Sequence, residues 1–112
     1  INQMLQSRSI IPINATIMGL RAHRETARQC LDHARFFFLD CPFKVAVERD
    51  QKGLYAQALA GKIKNFPGVD LDFECPIHSH MRIDSSTLSP DESVVQIMDY
   101  LSAKGVLSVT NQ

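Results

Sequence analysis

The run Phe36-Phe37-Phe38-Leu39, followed by Asp40 and then Pro42, constrains this chain more than any other feature. Four apolar residues without polar alternation suit a parallel strand covered on both faces. The flanking sequence agrees. Upstream, Ala27, Leu31 and Ala34 form one stripe over residues 22–34, while Arg21, Arg24, Glu25, Arg28 and Asp32 supply a polar surface, which predicts an amphipathic helix. Downstream, Pro42 fits the first turn of a helix running through Val45 and Val47 to about Arg49.

The same reasoning extends along the chain. Residues 10–17, Ile10-Ile11-Pro12-Ile13-Asn14-Ala15-Thr16-Ile17, are β-branched and apolar and predict a buried strand, with Pro12 removing one ladder donor. Ahead of them, Ile1, Met4 and Leu5 have helical spacing with nothing before Ile1 to cap a helix, so the chain is expected to begin inside an element, as a piece of something longer. Met81-Arg82-Ile83-Asp84 is a further strand candidate. Ser89-Pro90-Asp91-Glu92 is a helix start: Ser89 can cap, Pro90 fits the first helical position, and Glu92 closes a capping box. The expected inner face of that helix is Val94, Ile97, Met98 and Leu101, and Gly105 supplies a left-handed terminator. Helices and strands therefore alternate, which implies an α/β fold with a parallel sheet and helices on both faces.

Size and charge narrow the functional classes. At 112 residues and 45% hydrophobic composition the chain is one domain at most, and it is globular. Lys plus Arg and Asp plus Glu are 12 each, so the overall balance gives no electrostatic reason to expect nucleic acid or an anionic membrane as partner. Any anionic ligand must be held by a local cluster. No apolar run approaches the roughly 20 residues of a membrane span, and there is no charged-then-apolar leader, so a cytoplasmic protein is expected. Cys30, Cys41 and Cys75 are odd in number and unpatterned in spacing, and they read as buried small hydrophobes rather than a disulfide framework or zinc knuckle. His78 and His80 beside Cys75 lack a matching fourth ligand and read as exposed loop residues, so no metal site is assigned.

Residues 50–76 carry Gly53, Gly61, Pro67, Gly68 and Pro76, and their only periodic stretch, 54–63, reads as a short helix inside a lid. Arg49, Lys52, Lys62 and Lys64 flank flexible glycines, with Tyr55 among them. A lid over a nucleotide phosphate needs this combination of mobile backbone, positive charge and a stacking face, although composition alone favours a solvated basic loop, since short Lys-rich loops are common.

The order of these residues resembles the adenylylsulfate kinase family. Arg49, Asp50, Lys52, Gly53, Leu54 and Tyr55 fit its Arg-Asp-x-Lys-Gly-Leu-Tyr segment, and Ala60, Gly61, Ile63, Lys64, Phe66 and Gly68 fit its Ala-Gly-x-Ile-Lys-x-Phe-x-Gly segment. The likeness continues through Glu74-x-Pro76 and Leu88-Ser89-Pro90-x-Glu92-Ser93-Val94; upstream it includes Asp40-x-Pro42 and Ile17 followed by Arg21 and Arg24. The resemblance implies the C-terminal half of a P-loop kinase domain spanning residues 1–112, with its lid at about 50–76. The implied reaction transfers the γ-phosphoryl of ATP to the 3′-hydroxyl of adenylylsulfate, with Mg²⁺ as cofactor. Ile17, Met18, Lys52, Lys64, Asn65 and Phe66 would contact adenylylsulfate, Phe66 by stacking on the adenine; Arg49 and Ser86 would lie near ATP. A homodimer is also implied. No catalytic base is identified.

Three departures accompany the match. Met18-Gly19-Leu20 replaces Ser-Pro-Tyr, Leu59 replaces an arginine and Pro67 replaces a threonine. The sequence also contains no Gly-x-x-x-x-Gly-Lys-Ser/Thr loop, so the cradle for the β- and γ-phosphates and the Mg²⁺-binding hydroxyl are expected in a preceding segment. Two other readings stay open: a related P-loop kinase for another small hydroxyl-bearing substrate, and a non-catalytic domain that binds nucleotide or a partner.

Overall fold

The computed structural model describes residues 10–107 together with Met4 and Arg8. Its elements follow the order α1 (Arg21–Cys30), β1 (Phe37–Asp40), α2 (Phe43–Glu48), α3 (Leu54–Leu59), β2 (Met81–Asp84) and α4 (Pro90–Ala103). This is an α/β arrangement, and its two strands are parallel, as the Phe36–Leu39 run implied. The chain divides into two compact units, one of Ile1–Arg35 with Asp50–Ile77 and the other of Phe36–Arg49 with His78–Gln112.

In the second unit, Phe37 faces Met81, Phe38 faces Arg82, Leu39 faces Ile83, and Asp40 faces Asp84. The pair is extended at its start by His80, whose backbone N–H donates to the Phe36 carbonyl at 2.8 Å, while its Nδ1 accepts from the Phe36 N–H at 3.0 Å. Ile83 is completely buried and forms the centre of this unit's core. The coverage expected for β1 is incomplete: Leu39 is 57% exposed, and Phe36, Phe37 and Phe38 are half-buried. Period-2 alternation explains the difference between the two central residues of the pair only in part, because burial depends on what lies over each face and a two-stranded sheet has little to cover it.

α4 starts as its sequence dictates. The Ser89 side chain accepts from the Glu92 N–H at 3.1 Å, the Glu92 carboxylate accepts from the Ser89 N–H at 2.7 Å, and Pro90 occupies the first turn. Past its end Gly105 takes φ +71°, the left-handed terminator. The inner face is not the one periodicity predicted. Ser93 is buried, with its hydroxyl donating to the Ser89 carbonyl; Ile97 and Leu101 are half-buried; Val94 and Met98 are exposed. Tyr100 on this helix meets Phe37 edge-on, at 5.4 Å between ring centroids, so the contact to β1 runs along the 93/97/100 line.

In the first unit α1 is shorter than predicted. It ends at Cys30, and His33 beyond it takes φ +60°, so residues 31–34 are not helical. Cys30 and Cys75 are exposed and Cys41 is half-buried, which corrects their assignment as buried hydrophobes. Residues 10–17 form no strand. Ile10, Ile11, Ile13 and Ile17 are exposed, Ile13 to 91%. β-branched composition gives a segment the means to fit a pleated sheet, but a strand exists only where a neighbouring ladder takes its N–H and C=O groups, and Pro12 has no N–H to offer. The helical reading of residues 1–9 falls largely outside the described residues. α3 stops at Leu59 because Gly61, at φ +77°, turns the chain before Ile63.

Candidate functional site

The residues singled out from sequence fall into one group in each unit. In the first unit, the turn at residues 64–71 carries Lys64, Asn65 and Phe66. Asn65 sits at φ +59°, a left-handed conformation that asparagine tolerates better than most side chains. Directly after it, the Phe66 carbonyl accepts from the N–H groups of Val69, Asp70 and Leu71 at 3.1, 3.3 and 3.2 Å, and the Gly68 N–H donates to the Leu71 carbonyl at 2.8 Å. Asp70 closes the turn from the other side. Its Oδ2 accepts from the Asn65 N–H at 2.6 Å and its Oδ1 from the Phe66 N–H at 2.5 Å. These two bonds, Phe66 first, hold the Asp70 carboxyl below the usual carboxylate pKa.

The Phe66 ring is half-buried and packs edge-to-face against Tyr55 of α3, 4.9 Å between centroids at 70°. α3 is itself fixed by a carboxylate. Gly53, its N-cap, has φ +69° and no side chain, and Asp50 accepts from the Leu54 and Ala56 N–H groups at 3.0 and 3.2 Å. Lys52 stands exposed in the turn that leads into this helix, and Lys64 is exposed on the turn that carries Phe66.

Ile17 and Met18 reach the same unit by another route. Ile17 is 71% exposed and Met18 half-buried. The Arg24 guanidinium donates to the carbonyls of Met18 and Glu74, tying together positions 50 residues or more apart in the case of Arg24 and Glu74. The Gly19 carbonyl accepts from the Glu74 N–H at 2.7 Å, and a Cβ at Gly19 would stand 3.5 to 3.6 Å from Asp72, Phe73 and Pro67. The segment after Ile17 therefore lies against the strip that follows Phe66. Glu74 completes the arrangement: its carboxylate accepts from the Arg21 N–H at 3.1 Å, capping α1, whose N-cap residue Leu20 has no side-chain acceptor.

In the second unit the structure joins Arg49 and Ser86. Arg49 Nη1 donates to the Ser85 carbonyl at 2.7 Å and Nη2 to the Ser86 carbonyl at 3.1 Å. Ser86 lies just beyond β2, where its N–H and hydroxyl both donate to Asp84 Oδ1. The Ser86 hydroxyl, then the Ser86 N–H, lower the pKa of Asp84. The neighbouring strand end is committed as well, since Asp40 pairs with Arg82 across the sheet. Together these groups occupy the carboxyl edge of the parallel pair, the edge at which open α/β sheets bind ligands. Among the described residues no group of three or more His, Cys, Asp or Glu side chains is placed to hold a metal ion.

Asp70, Arg24 and the capping role of Glu74 were not visible as site features in the sequence. For Asp70 a signal exists: a carboxylate four residues past the aromatic, across a Pro-Gly turn, is placed to reach back to unsatisfied N–H groups. For Arg24 and Glu74 no local pattern could have paired them.

Comparison with known proteins points to one family. The model of the adenylylsulphate kinase family matches residues 1–84. The chain is 32% identical over 109 residues to the adenylyl-sulfate kinase of Staphylococcus haemolyticus, covering 96% of this chain and 55% of that protein. It is 36% identical over 101 residues to the adenylyl-sulfate kinase of Pseudomonas aeruginosa, 88% of this chain and 52% of that one. The bifunctional enzyme NodQ of Azospirillum brasilense is 34% identical over 106 residues, 93% of this chain and 17% of its own length. The chain spans about half the length of the adenylyl-sulfate kinases it matches.

Proposed function

Because this chain belongs to the adenylylsulphate kinase family, we propose that it forms the lid and substrate-binding part of an enzyme that transfers the γ-phosphoryl group of ATP to the 3′-hydroxyl of adenylylsulfate. In that reaction a bond forms between the γ-phosphorus and the 3′-oxygen, the bridging bond to the β-phosphate breaks, and the hydroxyl proton is lost, leaving ADP and 3′-phosphoadenylylsulfate. The observation that carries the reading is the Lys64-Asn65-Phe66 turn. It offers an aromatic ring braced by Tyr55 next to an exposed ammonium group, the pairing that a sulfated or phosphorylated adenine nucleotide requires. Met18 and Ile17 border the same unit through Arg24 and Gly19.

On this reading Lys52 and Lys64 bind adenylylsulfate along with Asn65 and Phe66, and Arg49 and Ser86 border ATP. Arg49 uses Nη1 and Nη2 on the two serine carbonyls, which orients the guanidinium plane at the sheet edge. Phosphoryl transfer depends mainly on positioning and charge stabilisation, so these cations contribute by fixing nucleotides in line. The carboxylates described here do not fit a Mg²⁺ site: Asp84 is taken by Ser86 and Asp40 by Arg82. No step is therefore assigned to the metal through these residues, and its protein ligand belongs in the proposal to a P-loop that these 112 residues do not contain. A cytoplasmic homodimer is part of the same proposal and rests on the family resemblance.

A second reading, a kinase for another hydroxyl-bearing substrate, is favoured by Met18-Gly19-Leu20, where a sulfur-bearing apolar side chain stands in place of the family's serine hydroxyl. A coupled ADP-release assay on a P-loop-bearing form of the protein, with adenylylsulfate against a panel of other nucleotides and small alcohols, separates the two. Turnover with adenylylsulfate supports the first; turnover only with another acceptor replaces it with the second.

A further inference from the structure

The turn that carries Phe66 is held through its backbone by the carboxylate of Asp70. Asp70 uses both carboxylate oxygens, one for each of two successive N–H groups: Oδ2 for Asn65 and Oδ1 for Phe66, at 2.6 and 2.5 Å. Short charge-assisted bonds of this kind are about twice as strong as neutral ones. They act where the backbone most needs them. Asn65 is in the left-handed region, which costs asparagine less than most side chains but still has to be selected over the commoner backbone conformations by neighbouring bonds. Asp70 is exposed, so the pair of bonds is not a by-product of core packing.

We propose that Asp70 is a positioning residue for the nucleotide: by accepting from the Asn65 and Phe66 N–H groups it pre-sets the Lys64–Asn65–Phe66 turn in the conformation that receives the adenine base of adenylylsulfate. The inference rests on the reading that Phe66 takes that base and goes beyond it by assigning the conformational control. Its consequence is thermodynamic. When only a fraction of molecules holds the competent turn, the apparent dissociation constant rises by the inverse of that fraction. Loss of Asp70 therefore weakens adenylylsulfate without touching the ATP side of the reaction.

The isosteric change Asp70→Asn is a sharp probe. A carboxamide has one carbonyl oxygen; whichever way it is flipped, its NH₂ must face one of the two N–H groups, donor against donor. Two measurements are needed. The first is a ¹H–¹⁵N titration of the P-loop-bearing protein from neutral pH into acid. The Asn65 and Phe66 amide resonances are expected to shift together, with a midpoint below the usual aspartate value, and Asp70→Asn is expected to abolish the shared transition. Independent titration of the two amides, or an unchanged transition in Asp70→Asn, overturns the proposal. The second is steady-state kinetics of the P-loop-bearing protein with Asp70→Asn and Phe66→Ala. Asp70→Asn is expected to raise KM for adenylylsulfate about ten-fold, with KM for ATP and the melting temperature nearly unchanged. If Phe66→Ala weakens adenylylsulfate and Asp70→Asn does not, the positioning role fails while the base-binding reading stands. If Phe66→Ala leaves adenylylsulfate unaffected, the base-binding reading itself fails. Equal losses for ATP and adenylylsulfate in Asp70→Asn, with a lowered melting temperature, overturn the proposal in favour of a purely structural carboxylate.

Discussion

Phe66 and Asp84 illustrate two ways in which one residue controls its surroundings. Phe66 packs its ring edge-on against Tyr55, and it is half-buried rather than core. Removing it should therefore cost binding more than folding. Phe66→Ala is predicted to weaken adenylylsulfate by roughly 1–3 kcal/mol, by analogy with loss of a base-stacking ring, with little change in melting temperature. Calorimetric titration and a thermal melt check this together; a large drop in stability with unchanged affinity would mean that the ring is a packing residue. Asp84 acts through charge. Its pKa is lowered by the hydroxyl and N–H of Ser86, so the folded state binds its proton less readily than the unfolded chain does. The sign follows from linkage: the stabilisation is complete above the ordinary aspartate pKa of about 3.9 and is lost as pH falls through the depressed folded value. The turn after β2, including the carbonyls that hold Arg49, is predicted to be unchanged from pH 8 to pH 5 and to loosen only in stronger acid. Hydrogen exchange at the Ser86 amide, followed across that range, tests the prediction; loosening between pH 7 and pH 5 would assign control to another group.

At the scale of elements, the parts that local chemistry specifies completely are the ones that sequence reading recovered. β2 spans Met81–Asp84, the same residues that its composition marked, and α4 starts at the capping box. Ser89→Ala is predicted to destabilise the protein by about 1 kcal/mol, the usual cost of losing a side-chain N-cap. For a domain of this size that corresponds to a fall in melting temperature of about 4–8 °C. Ser89→Asp, which keeps an acceptor at the cap, should restore most of it, and failure to do so would remove the cap as the cause. Other starts were not legible. α1 begins after Leu20, which cannot cap, because Glu74 supplies the acceptor from 53 residues away. The inner face of α4 was also misread: periodicity gives the angle between apolar positions, not which stripe meets the sheet, and Ser93 rather than Val94 lies inward. The buried hydroxyl is tolerated because it donates back to the Ser89 carbonyl.

Across the whole molecule, the prediction with the largest expected effect concerns activity. The 112 residues contain no P-loop sequence, so nothing in them cradles the β- and γ-phosphates, and made as they stand they are predicted to release no ADP in a coupled assay with ATP, Mg²⁺ and adenylylsulfate. A form bearing an upstream P-loop is predicted to turn over. Activity in the short chain would refute the argument, and inactivity in the longer one would favour the altered-substrate or non-catalytic readings. The exposed Ile10, Ile11, Ile13 and Ile17 show the limit of pattern reading most clearly. Their β-branched side chains determine that this segment suits a sheet, yet they do not determine that it has one to join. What the sequence by itself determined is local: the capping box, the left-handed terminator at Gly105, the strand at Met81–Asp84, and the ordered lid residues that identify the family. These depend on contacts within a few positions, which composition and spacing encode directly. Only the tertiary structure decided which faces are covered, that Arg24 and Glu74 bind the segment around Met18, that Arg49 meets Ser86, and how Tyr55 braces Phe66. Apart from Arg24 and Met18, which are six positions apart, those contacts join residues 11 to 50 positions apart, and no periodicity along the chain carries the information of which distant partner will be near.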